Sequence, residues 1–374
     1  MASMKSQASL HITLVGPLPP PSGGMANQTR QLARLLEQEG LTVNLVQVNA
    51  PYRPNWVSRM HGVRAVFRLI PYLIRLWQVS RRAHVTHIMA NSGWAWHLFV
   101  APAVIISTLR GVPIIINYRG GNAGAFMQRQ AWIVSPLLRK VKVIAVPSAF
   151  LAELFRRYDL PVVIIPNIVD LDRFKAADSM NRPPVSAGPH FIVTRNLEAL
   201  YDLSTALKAF QQIRQRWPNA RLTIAGSGPE RANLEAETIQ LGLADAVKFS
   251  GRLELQAMAE LYASAQIMLN PSQVDNTPNS VLEAWASGVV VVSTAVGGVP
   301  YLVRDGVDAI LVPPGNPDAM ASAVTKLLEA PEQMEQLVSN GRNSAERFSW
   351  SRVKPLWMSI YHDLTKARPT KASV

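Results

Sequence analysis

No cysteine occurs among the 374 residues, which removes disulfides, thiolate metal sites and cysteine nucleophiles from consideration and suits a reducing compartment. No window offers the roughly 18 uncharged apolar residues that a membrane span needs; the richest, Ala95 to Leu109, is shorter and ends at Arg110. Met1 to Leu10 lacks the apolar core of a signal peptide, so export is not expected. Acid is scarce at the front of the chain. Up to Arg182 there are 21 Lys and Arg against 7 Asp and Glu, a balance of +14, whereas the remainder has 17 against 18, or −1. Such a field attracts phosphates, whether on nucleic acid, on anionic lipid headgroups or on a phosphorylated substrate, and charge alone does not choose among them. The first glycine-rich loop, Gly16 to Gln28, contains no G-x-G-x-x-G, so a dinucleotide oxidoreductase loses its main support.

What is present is ample apolar material, 48% of residues, in a chain whose length favours two domains. Short β-branched runs alternate with stretches of helical period. Strands are expected near His11–Val15, Thr42–Val48, His84–Met89, Val112–Asn117, Val141–Val146 and Val162–Ile165. A second series is expected near Phe191–Thr194, Arg221–Ala225, Val247–Phe249, Ile267–Leu269, Val289–Ser293 and Ile310–Val312. Between them Met180–Gly188, rich in Pro, Ser and Gly, is expected to connect the domains. The fold class is therefore α/β, with two Rossmann-like, doubly wound parallel-sheet domains (1–180 and 181–347) whose loops face a cleft. Residues 348–374 hold an amphipathic helix and a tail; the helix is expected to cross back to the first domain, the alternative being a cover for the second.

The segment Gln273 to Gly288 concentrates the chemistry. Thr277 suits an N-cap and Pro278 a first helical position, so a helix exposed at its start is expected here, with Gly288 ending it. Free N–H groups near Asn279 and Ser280 would hold a phosphate without any lysine. Glu283 lies three and four residues after Ser280 and Asn279, on the same face, and leans toward the helix start, where a carboxylate can accept two bonds from a ribose diol. Asp275 can take sugar hydroxyls.

The segment resembles the E-x7-E signature of family 4 glycosyltransferases of the GT-B fold, with Asp275 and Glu283 in the acidic places. P-N-I-V-D-L-D-R-F (Pro166–Phe174), A-G-S-G-P-E (Ala225–Glu230, with Gly226), S-G-R (Ser250–Arg252) and G-G-V-P-Y-L-V-R-D-G (Gly297–Gly306) resemble further motifs of that family. The resemblance implies a nucleoside-diphosphate-sugar donor, a retaining transfer to a glycan or lipid-linked saccharide, and no metal or other cofactor. It places Glu283 on the ribose, Asp275 on the transferred sugar, the amides from Thr277 to Ser280 on sugar and phosphate, Arg252 near the nucleobase, and Gly23 and Gly24 at a helix start facing donor and acceptor.

The chain departs from the pattern in two places. The phosphate clamp appears as T-R-N-L-E-A-L-Y-D, with Arg195 available to a diphosphate but Tyr201 standing where lysine belongs. Arg119 occupies a place where the family often has histidine; it cannot be a base but can hold leaving-group or acceptor-phosphate charge, the plainer alternative being a surface arginine on a Gly-rich turn. Two rival functions stay open: a non-catalytic homologue binding membrane or polyanion, and a GT-B epimerase. Asp170 and Asp172 read as part of the linker motif rather than a metal site, and His84, His87 and His97 as packing residues. From Arg53 to Arg82 every charged residue is arginine, interleaved with Trp and aliphatic residues; Arg64, Arg68, Arg75 and Arg82 fall near one helical face, and Pro71 is expected to kink it into an interfacial pair. That stretch is expected to meet an anionic membrane surface, the alternative being a first-domain helix whose apolar side is core; the first reading places the protein in the cytoplasm at the inner face of the cell membrane, with no nucleic-acid partner.

Overall fold

The computed structural model describes residues 10–20, 23–52, 56, 64–175 and 187–366. Residues 180–186 of the expected interdomain connection, most of 53–63 in the basic stretch and residues 1–9 at the start lie outside the described residues. The chain divides into two compact units, Met1–Pro166 with Lys354–Val374, and Asn167–Val353. The division thus falls at Pro166/Asn167 rather than at 180/181, and the last residues group with the first unit.

The first unit runs β1 (His11–Gly16), α1 (Gly24–Gln38), β2 (Thr42–Gln47), α2 (Arg64–Val79), β3 (Val85–Ala90), α3 (Ala101–Leu109), β4 (Ile114–Tyr118), α4 (Ala123–Leu138), β5 (Val143–Val146), α5 (Ala149–Arg156) and β6 (Val162–Ile164). Its six strands are parallel in the order β2-β1-β3-β4-β5-β6. Right-handed crossovers then put α1 on one face and the helices from α2 to α5 together on the other. Every residue of β3 and β4 is buried, as a sheet covered on both sides demands, and the core against α2–α5 centres on Trp96, Tyr118 and Phe155. Ser148 caps α5 by accepting from the Leu151 amide. Pro71 lies inside one continuous α2 and does not divide two helices as the sequence suggested.

The second unit runs β7 (His190–Val193), α6 (Leu203–Arg216), β8 (Arg221–Ala225), α7 (Arg231–Gln240), β9 (Val247–Gly251), α8 (Leu255–Ser264), β10 (Ile267–Asn270), α9 (Asn279–Ala286), β11 (Val290–Thr294), α10 (Val299–Leu302), β12 (Ile310–Val312), α11 (Pro317–Glu329) and α12 (Pro331–Ala345). Its strands are parallel in the order β12-β11-β10-β7-β8-β9. One face packs Phe191, Phe210 and Ile224 beneath α6 and α11, and the other packs Met268, Tyr262 and Trp285 beneath α8 and α9. The last helix, α13 (Trp350–Lys366), carries Trp357 and Tyr361, both fully buried. In the first unit the Tyr361 hydroxyl bonds His87 Nδ1 at 2.7 Å, and Trp357 lies 4.7 Å from the same ring. All twelve strands fall within a residue or two of their expected places, which makes this a two-domain Rossmann-like α/β fold.

Candidate functional site

In the second unit the strand order turns between β7 and β10, and a doubly wound sheet binds ligands beyond the carboxyl ends at such a point. Arg195 leaves β7 there and Asn270 ends β10. Arg195 Nε donates to Asn270 Oδ1 at 2.9 Å, its Nη2 donates to Ser272 Oγ at 3.3 Å, and the guanidinium pairs with the Asp275 carboxylate. The Tyr201 ring sits 4.7 Å from the guanidinium carbon. Tyr201 therefore fixes the plane of Arg195 where a lysine would have added charge. The structure thus brings Arg195 and Tyr201 of the clamp segment against Asp275 of the acidic segment.

Glu283 closes the group. Its carboxyl is pushed up to about 7 by burial, opposed by the Tyr262 hydroxyl bonded to it and by the charge of Arg195. Tyr262 is also within 2.7 Å of the Thr194 hydroxyl and 3.2 Å of the Ser280 carbonyl. A phenol has one proton to give, so Glu283 and the Ser280 carbonyl compete for it, while the Thr194 hydroxyl can donate to the phenol oxygen. Near neutrality Glu283 stands between its two protonation states, beside an arginine that favours the charged one.

The start of α9 differs from expectation. Pro278 is the cap, helical residues begin at Asn279, and no side chain caps the helix. Thr277, expected as the cap, instead has its hydroxyl buried without a partner, as does Ser280. The start is not exposed either: Asp275 to Pro278 and Ser280 are buried, with Asn279 and Glu283 partly accessible. The reason is local. Asn167 Nδ2 donates to the Thr277 carbonyl at 3.1 Å and to Asn279 Oδ1 at 2.7 Å, which ties down the turn from the motif Pro166–Phe174. Gly297, at φ +52°, packs its backbone directly on the Asp275 carbonyl, and the Gly298 amide donates to that carbonyl at 3.1 Å. The start of α9 thus keeps uncapped amides and two unpartnered hydroxyls, donors of the kind that serve anions at helix ends.

Gly226, at the exit of β8, is required by packing: a Cβ there would be driven into the Arg195 carbonyl oxygen. Arg252, just past β9, is exposed. Gly23 caps α1 with extended backbone, Gly24 begins the helix, and the space beside Gly23 is open. Those two glycines belong to the first unit, as does Arg119.

Arg119 follows β4 and is mostly buried, which overturns the reading of a surface arginine on a glycine turn. Its Nε donates to Asn117 Oδ1 at 3.0 Å and its Nη1 to Gln28 Oε1 at 3.3 Å. Burial pulls its guanidinium down to about 10, so it stays charged at neutral pH. Asn117 in turn bonds His87 Nε2 at 3.2 Å, and His87 bonds Tyr361. Burial, with Arg119 nearby, pulls His87 down to about 3, leaving it a neutral structural link. His84 accepts from the His11 amide and His97 bonds Gln130, both packing roles. Asp170 closes a turn by accepting from the Arg173 amide, and among the described residues no group of three or more His, Cys, Asp or Glu could hold a metal. Sequence reasoning missed Thr194, Tyr262, Asn270 and Ser272, and gave Asn167 no task. Polar residues at the ends of β7 and β10 were the available signal.

Comparison with known proteins bears on the same segments. The family profile described as glycosyl transferases group 1 matches residues 181–344, and that described as glycosyltransferase family 4 matches residues 22–173. A D-inositol 3-phosphate glycosyltransferase of Streptomyces bingchenggensis is 30% identical over 231 residues, covering 56% of this chain and 50% of that protein. An uncharacterized glycosyltransferase of Methanocaldococcus jannaschii is 34% identical over 156 residues, or 41% and 40% of the two chains. The chain thus spans about half the length of these curated relatives. Among solved structures, sucrose-phosphate synthase of Thermosynechococcus elongatus matches with TM-score 0.74 at 20% identity, covering 96% of this chain and 100% of that one. Anabaena HepE, solved with UDP-glucose, matches with TM-score 0.73 at 16% identity, covering 94% and 99%. Likeness at that identity concerns the fold.

Proposed function

Since the chain belongs to the group 1, family 4 glycosyltransferases of the GT-B fold, we propose that it moves a sugar, with retention, from a nucleoside-diphosphate sugar to a glycan or lipid-linked saccharide. The observation that carries this reading is the group Arg195–Asp275–Glu283 at the uncapped start of α9, with the Thr277 and Ser280 hydroxyls left unpartnered. Each part has a task that matches a piece of such a donor. The Glu283 carboxylate accepts from the two ribose hydroxyls. The amides at Asn279 and Ser280, with the helix dipole, take the diphosphate. Arg195, held by Asn270, Ser272 and the Tyr201 ring, adds positive charge already oriented for a phosphate oxygen. Asp275 shares that charge and takes a hydroxyl of the transferred sugar. HepE, of the same fold, was solved with UDP-glucose, which supports a donor of this class.

In a retaining transfer by front-face attack, the acceptor hydroxyl gives its proton to a phosphate oxygen of the departing diphosphate. The protein then supplies position and charge instead of a base, in keeping with Arg119, whose guanidinium stays charged and cannot take the proton. Arg119 serves an anionic group there, and the open space at Gly23 serves the acceptor. The reading is tested by incubating the purified protein with nucleotide sugars and saccharide acceptors, measuring released nucleoside diphosphate and the anomeric configuration of the product. No release with any donor, with nucleoside diphosphates giving no thermal stabilisation, sinks it and favours the non-catalytic alternative.

A further inference from the structure

The helices α2, α3 and α4 form one layer on the first unit, α2 beside α3 and α3 beside α4. Their inner sides fill the core. Their outer sides are also apolar, which a helix facing water does not need. On α2 the exposed residues include Ile70, Ile74 and Trp77; on α3, Ile105 and Leu109; on α4, Trp132 and Ile133. Leu109 is 72% exposed and Trp132 78%, and Trp94, ahead of α3, is 79%. This is a contiguous layer, because the crossovers place all three helices on the same face of the sheet.

The charge around it has one sign. Between Gly40 and Ala152 the chain carries thirteen Lys and Arg and no Asp or Glu. Arg75, Arg81 and Arg82 are exposed on or just past α2, and Arg129, Arg139 and Lys140 on or just past α4. Arg110, which follows α3, stacks its guanidinium 3.5 Å over the Trp77 ring while its Nε and Nη2 are buried without a hydrogen-bond acceptor. An arginine left short of acceptors beside an interfacial tryptophan invites phosphate oxygens from outside the chain.

We propose that the outer face of α2, α3 and α4 is a docking surface for a bilayer containing anionic phospholipid. Trp77, Trp94 and Trp132 enter the headgroup boundary, the aliphatic residues reach the acyl region, and the arginines meet the lipid phosphates. This is wider than the arginine stretch 53–82, since α3 and α4 supply half of it. It stands apart from the donor reading, which concerns the second unit. A second copy of the chain is disfavoured because it would set the same cationic rim against itself. A polyanion is disfavoured because it leaves the aliphatic centre uncovered.

The experiment is co-sedimentation of the full chain with vesicles of phosphatidylcholine alone and of phosphatidylcholine mixed with phosphatidylglycerol, at low and high salt. The expected result is binding to the anionic vesicles only, weakened by salt, with tryptophan emission quenched by brominated lipid. The Arg81→Ser/Arg82→Ser variant is expected to lose about fivefold in affinity per arginine. The Ile74→Glu/Leu109→Glu variant is expected to lose binding with its circular dichroism and melting temperature unchanged. If that variant binds as the wild type does, or binding persists without tryptophan quenching, the proposal is overturned. It is equally overturned if the wild type ignores anionic vesicles and is a dimer that the variant breaks, or if single-stranded RNA binds and vesicles do not.

Discussion

Replacing Glu283 with Gln tests the electrostatics of the donor group. The folded chain holds the Glu283 proton up to about pH 7, whereas an unfolded chain releases it near 4.5. Between those values the unfolded state binds fewer protons, so stability falls as pH rises and the full cost is present above pH 7. At about 1.36 kcal/mol for each pKa unit, the cost reaches about 3 kcal/mol at pH 8 and only about 1 kcal/mol at pH 5. Gln keeps an oxygen for the Tyr262 proton and carries no charge to bury. The variant is therefore expected to be more stable than the wild type by about 3 kcal/mol at pH 8, with the gap shrinking to about 1 kcal/mol at pH 5. In scanning calorimetry this is a rise of about 6–12 °C in the transition of the second unit at pH 8. The same change removes the charged acceptor for the ribose diol, so nucleoside-diphosphate affinity is expected to fall about tenfold. A variant less stable than the wild type at pH 8, or a gap that does not change with pH, refutes the assignment of a carboxyl held against its own burial.

Three further outcomes follow from the geometry. Gly226→Ala drives a methyl into the Arg195 carbonyl and is expected to cost about 3 kcal/mol or more, read in urea unfolding, together with nucleotide binding. Tyr361→Phe leaves His87 Nδ1 buried and unpartnered, so the first unit is expected to lose about 1–3 kcal/mol while nucleotide affinity in the second is unchanged. Arg195→Lys keeps the charge but cannot hold Asn270, Ser272 and Asp275 together or stack on Tyr201; nucleoside-diphosphate affinity measured by calorimetry is expected to drop at least tenfold.

Period and punctuation were enough to place the strands, because each is a short apolar run closed by Gly, Pro or Asn. They also placed α9 to within two residues and set Glu283 on its inward face. The cap failed because a hydroxyl N-cap is a local rule, and here Asn167, 110 residues away in sequence from Thr277, pins the turn instead. Tyr201 stands where a lysine is expected, and nothing in the sequence says that its ring lies against Arg195. Tyr262 sits on a helix whose pattern reads as core, and nothing in that pattern says its hydroxyl ends against Glu283. The same limit hid the bond from His87 to Tyr361, which spans 274 positions. A surface arginine was the plainer alternative for Arg119, and the sequence does not exclude it for a related reason: burial is set by what arrives from elsewhere.

The bond between His87 and Tyr361 carries a consequence for the order in which the protein is made. Synthesis delivers β1 to β6 first, yet the ring of His87 meets neither Tyr361 nor Trp357 until more than 180 later residues have left the ribosome. The sheet that emerges earliest is thus the one finished last, and through that interval the face beneath α13 must stay open to water or to a chaperone. A chain halted after Val353 can complete its second unit while its first still lacks the aromatic pair that seals it.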